Sequence, residues 1–160
     1  MRRPSIPRPD LSLHGGVDAE ALIGARPKAV IDLLADPDSV SDWFPIGVEV
    51  DGRKPRRWRA GSAFTVVVVV AGERVRMAVT VQRLDAEGLE FDAKGAVEIH
   101  GVATFESAKL AHTRMQARVH VVGHGLAGEV IAGAALGLLR GGALDRALHV
   151  VKREVERAER

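Results

Sequence analysis

The sequence predicts an α+β fold, an antiparallel sheet of about seven strands wrapped around a long C-terminal helix. Two short helices are expected after the first strand. Three observations carry this reading. Apolar and polar residues alternate through successive stretches between residues 46 and 123, the spacing of half-buried strands. Short turn-forming segments join those stretches, which suits a meander with one wet face and one dry face. Beyond residue 126 the period becomes helical and holds to the end of the chain.

The elements follow in order. Val17, Ala19, Ala21, Ile23 and Ala25 alternate with more variable residues, a first strand. Pro27 suits the first turn of a helix, and Val30, Ile31, Leu33 and Leu34 give that helix one apolar side. Asp36-Pro37-Asp38 ends it; Asp38 or Ser39 is expected to cap a second short helix through Trp43, closed by Pro45. Val48 and Val50 precede the turn pair Asp51-Gly52. The run from Phe64 to Val70 is rich in β-branched valine and reads as a strand buried on both faces. Four further alternating runs follow, centred on Met77, Phe91, Gly101 and Ala117, with turns at residues 71–72, 86–88 and 94–95. Leu144, Leu148, Val151 and Val155 then define an amphipathic helix. Its upstream half contains Gly128, Gly133, Gly137, Gly141 and Gly142, each costing about 1 kcal/mol against alanine, so an interruption is expected near Gly141-Gly142.

At 160 residues the chain is expected to form one domain over residues 12–160, behind a flexible basic arm at residues 1–11. The arm carries Arg2, Arg3 and Arg8 without the apolar run of a secretory signal, so a cytoplasmic location is expected. The apolar stretch 126–139 is broken by Glu129 and falls short of a transmembrane span. With no cysteine, disulfides, thiolate metal sites and cysteine nucleophiles are excluded. Basic and acidic residues number 23 and 21, a balance that argues against a protein coating nucleic acid.

Taken together, strand, two short helices, six-strand meander and terminal helix form the helix-grip order. The segment Ala25-Arg26-Pro27-Lys28-Ala29-Val30-Ile31-Asp32-Leu33-Leu34, then Asp36-Pro37 and Trp43-Phe44-Pro45, resembles the START-like (SRPBCC) superfamily. Within it the likeness is to the polyketide cyclase/dehydrase-like proteins. Gly61 before the long third strand and the Gly-rich start of the last helix complete a resemblance over roughly residues 12–157. It implies a sheet wrapped around a helix, with an apolar cavity that takes lipids, polyketides or other hydrophobic ligands.

The dry face points the same way. Its inward positions are Phe64, Val66, Val68, Val70, Val75, Met77, Val79, Val81, Phe91, Ile99, Phe105, Met115, Ala117 and Val119, none of them ionisable. Opposite them the terminal helix is expected to turn Gly133, Ala134, Gly137, Leu138 and Gly141, so that large groups face small ones across close packing or across a pocket. The expected ligand contacts are Trp43, Phe64, Val66, Val68, Met77, Val79, Phe91, Ile99, Phe105, Met115 and Ala117 with Gly133, Ala134, Gly137 and Leu138. Trp43 would either cap the entrance or pack the short helices onto the sheet.

No catalytic residue is assigned. Tyrosine is absent, His100 and His120 fall on the wet parity, and His14 and His149 lie near the termini. Thr113, Asp42 and Ser62 would reach a pocket, but none has an evident base with an orienting partner. His120 and His124 lack a recognisable third ligand, so neither metal nor cofactor is expected.

Residues 53–59, Arg-Lys-Pro-Arg-Arg-Trp-Arg, hold five cations beside one aromatic. Arg56, Arg57 and Arg59 are candidates for contacting an anionic group on a ligand. Peripheral docking on anionic lipid, nucleic-acid contact and a merely solvated loop are the alternatives. The expected function is binding of a hydrophobic small molecule, including one with an acidic end, by a monomer or homodimer. A cyclase- or dehydratase-type enzyme and a ligand-independent interaction module are the competing classes.

Overall fold

The computed structural model describes residues 15–160. The arm predicted at residues 1–11, the start of the domain at residue 12 and His14 lie outside the described residues. Strands β1 (Gly15–Ile23), β2 (Val48–Asp51), β3 (Ala63–Val70), β4 (Glu73–Asp85), β5 (Gly88–Lys94), β6 (Val97–Ala108) and β7 (His112–Gly123) form one antiparallel sheet. Their order is β1-β7-β6-β5-β4-β3-β2. The meander from β2 to β7 is local in sequence, whereas β1 joins last in space, pairing Gly15 with Val121 and Ile23 with Thr113. Ala71 and Gly72, both at positive φ, close the β3–β4 hairpin in the sense that matches strand twist. A bulge between Val81 and Arg83 shifts the register of β4 against β5.

Between β1 and β2 the chain forms α1 (Pro27–Leu34), a 3-10 turn (Pro37–Ser39) and α2 (Val40–Trp43). Pro27 occupies the first turn of α1, where a missing N–H leaves no bond unmade. The cap of the following turn is Asp36, whose carboxylate accepts from the Asp38 N–H at 3.0 Å, rather than Asp38 or Ser39. Ser39 instead ties the turn together. Its hydroxyl lies 2.7 Å from the carbonyl oxygens of Leu33 and Asp36 and accepts from Trp43 Nε1 at 2.9 Å.

The terminal helix runs as α3 (Gly125–Leu138), a widened turn (Leu139–Ala143) and α4 (Leu144–Ala158). The interruption falls at Gly142, whose φ of 106° no L side chain adopts at ease. Helix α4 packs on β1 and against α1 and α2, and α3 packs on β7. Dry-face residues of the sheet, with Leu144, Leu148, Val151 and Val155 of α4, form the core.

Two expectations are corrected here. The β3 run buries one face only: Val66, Val68 and Val70 are buried while Val69 is 43% exposed, because no second layer covers the outer face. Arg74 and Arg76 stand on that outer face, paired with Glu49 and Asp51 of β2. Helix α3 is also rotated from the expected setting. Ala132, Ala135 and Leu136 face the sheet; Gly133, Gly137 and Gly141 face open space, and Leu126 is 85% exposed. By length and composition alone the stretch Gly125–Ala158 is long and apolar enough to cross a membrane, a test that the core helix of a soluble protein also passes.

Candidate functional site

Between the sheet and the helices lie two adjoining cavities with volumes of ≈ 50 and ≈ 40 Å³. The larger, the helix lobe, is bounded by Leu139, Leu144, Ala147, Leu148 and Val151 above and by Met115, Ala117 and Val119 of β7 below. The smaller, the loop lobe, is bounded by Phe64, Val66 and Val68 of β3, Met77, Val79 and Val81 of β4, and Trp58. Leu34, Trp43, Phe44, Leu89, Phe91 and Ile99 belong to both linings. The two lobes therefore share a wall.

The shared wall is aromatic. Phe44 tilts against Phe91 with ring centroids 6.0 Å apart, and Trp43 tilts against Phe44 at the same separation. Phe91 of β5 sits opposite Gly101 of β6, its register partner, where any β-carbon would overlap the ring. Gly101 is thus the seat that lets Phe91 lie flat on the sheet. Trp43 bounds both cavities, and its Nε1 donates to Ser39 Oγ in the turn between the short helices.

Of the predicted contacts, Trp43, Phe64, Val66, Val68, Met77, Val79, Phe91, Ile99, Met115 and Ala117 stand on one lining or the other. Phe105 does not; it is buried in the core beside them. Gly133, Ala134, Gly137 and Leu138 are also absent from both linings. Their places are taken by α4 and the widened turn. Helix α3 carries small and apolar residues all round, so its sequence marks no inner face. The α4 contacts are legible instead from the Leu144, Leu148, Val151 spacing, which by itself speaks only of packing.

Apart from Arg118, the linings hold no ionisable side chain. Arg118 reaches outward to clasp Asp18 across β1 and β7, at 2.5 and 3.2 Å. That pairing holds the Asp18 carboxyl below the usual carboxylate range. The polar residues expected near a pocket lie elsewhere. Thr113 is fully buried but donates to the Ala25 carbonyl at 2.7 Å; Ser62 Oγ accepts from the Arg59 N–H at 2.9 Å; Asp42 is exposed. On the outer face His100 contacts Asp92 at 2.5 Å, and His120, its cross-strand neighbour, is pushed below the usual imidazole range by burial and by Arg118. His124 pairs with Glu98 at 3.3 Å. Among the described residues no three metal-ligating side chains converge.

The basic loop is pinned rather than trailing. Trp58 buries its indole against Phe64, rings stacked at 3.9 Å, and its backbone N–H donates to the Ala35 carbonyl at 2.7 Å. Arg57 is held by Asp32 at 3.0 Å and Lys54 by Asp38 at 3.4 Å. Arg56 and Arg59 are exposed and form no ion pair among the described residues. Trp58, which stands between Arg57 and Arg59 in the chain, is a wall of the loop lobe.

Solved structures carry the same architecture. A protein from Thermus thermophilus, TTHA0849, superposes with a TM-score of 0.67 at 20% identity, covering 91% of this chain and all of its own. The ZhuI aromatase/cyclase from a Streptomyces species gives 0.65 at 20% identity over 92% of this chain and 96% of its own. A START superfamily protein from Mycobacterium smegmatis gives 0.55 at 15% identity over 84% and 98%. No protein-family model and no curated protein matches the sequence. The chain has the START-like helix-grip fold.

Proposed function

We propose that this chain binds a hydrophobic small molecule, lipid- or polyketide-like, between its sheet and α4. The observation that carries the reading is the shared lining: two apolar cavities that have Trp43, Phe44, Phe91 and their neighbours in common. As they stand, the volumes of ≈ 50 and ≈ 40 Å³ are below the roughly 150 Å³ that accommodates benzene. Occupation therefore requires the rings to turn aside and join the lobes. An acidic end on the ligand would meet Arg56 or Arg59, the cations that Asp32 and Asp38 leave unpaired. Each buried methylene would contribute about 0.8 kcal/mol before ordering costs.

The test uses the fluorescent probe N-phenyl-1-naphthylamine. Wild type is expected to enhance its emission saturably, and Ala147→Phe, which fills the helix lobe, to weaken binding about tenfold or more. Overpacking costs roughly 1–3 kcal/mol, so the variant's urea midpoint is measured alongside. Gly133→Ala, on the outward face of α3, is expected to bind as wild type. Unchanged binding by a folded Ala147→Phe would remove this cavity as the site.

A further inference from the structure

Trp58 Nε1 is a buried donor with no hydrogen-bond acceptor among the described residues, and the only such side-chain atom among them. The residue is 4% exposed, its ring is a wall of the loop lobe, and the rest of that wall is hydrocarbon. Leaving such a group unmet opposes folding, so its retention inside an otherwise apolar lining calls for a reason. Packing alone does not supply one, since phenylalanine would stack on Phe64 without an orphan N–H. The other tryptophan shows the contrast: Trp43 bounds the same space, but its Nε1 already donates to Ser39 Oγ at 2.9 Å.

We infer that the ligand carries a hydrogen-bond acceptor oxygen, a carbonyl or carboxyl, which enters the loop lobe and takes the Trp58 Nε1–H. The inference rests on the proposed binding function and narrows it from any apolar molecule to an oxygenated one. The loop geometry agrees with it. The backbone N–H of Trp58 is fixed to Ala35 and the neighbouring Arg57 to Asp32, so the indole is held in place before any ligand arrives.

The experiment compares two probes of one shape, 2-acetylnaphthalene and 2-isopropenylnaphthalene, which differ by a carbonyl oxygen against a methylene. Each is titrated into wild type and Trp58→Phe by calorimetry, and the two indole N–H signals are followed by NMR. The expected result is a loss of about tenfold in affinity for the ketone on Trp58→Phe with the alkene little changed. The Trp58 indole proton should move downfield with the ketone only, while the Trp43 signal stays put. Equal losses for both probes would make Trp58 a packing wall and overturn the inference, as would an indole shift identical for the two. Failure of both probes to bind wild type would instead overturn the binding function on which it rests.

Discussion

Single residues show how tightly the interior is accounted for. Thr113 is fully buried, and its hydroxyl donates to Ala25 O across the junction of β1 and α1. Thr113→Val keeps the shape and strands that carbonyl. The expected loss is about 1–3 kcal/mol, read from the urea midpoint at unchanged slope. The sequence placed Thr113 as a candidate for the pocket, since a hydroxyl in an apolar strand suggests either use; only the position of Ala25 O decides between them. The same limit applied to Trp58. Five neighbouring cations made the loop look solvated or nucleic-acid-like, and nothing local announced that its aromatic turns inward onto Phe64.

At the scale of elements, the sheet was legible because it obeys one rule. Strands with one dry face alternate with period two, and every inward assignment from Val66 to Val119 follows from that parity. The terminal helix shows a one-sided pattern, at helical spacing, only in α4, where Leu144, Leu148 and Val151 stand against charged residues. In α3 glycine, alanine and leucine occur on both sides, so the inner face is set by tertiary contact and not by pattern. The break between them makes opposite predictions for two adjacent glycines. Gly141 is helical with room for a β-carbon, so Gly141→Ala is expected to stabilise by about 0.5–1 kcal/mol. Gly142→Ala forces alanine to φ near 106° and is expected to cost about 1–3 kcal/mol. Thermal denaturation of the two variants distinguishes them by sign.

The whole molecule should lose stability in acid in two stages. Burial, then Arg118 and His100, hold His120 below its ordinary range. The unfolded chain therefore takes up that proton first, and stability falls as pH drops from about 6.5 through the lower folded value. Glu156 is lowered by Lys152 and by accepting the Gly24 N–H at 2.8 Å, and Asp18 by Arg118. Their contributions are present above the usual carboxylate values and are lost as pH falls below about 4. A urea-midpoint profile against pH should show both stages, and His120→Gln should erase the upper one while leaving the lower. Glu156 ties the end of α4 back to the end of β1, so the lower stage is also where the last helix loosens from the first strand.

That first strand has a long wait. Among the described residues its only partner in the sheet is β7, and Gly15 pairs with Val121. On a ribosome adding about 5–20 residues per second, β1 emerges several seconds, roughly 5–20 s, before the strand that will hold it. The meander from β2 to β6 can assemble hairpin by hairpin during that interval, with its dry face uncovered until α4 arrives last. Nascent chains of this protein thus spend their early life as an open half-sandwich, the state in which a chaperone has most to protect.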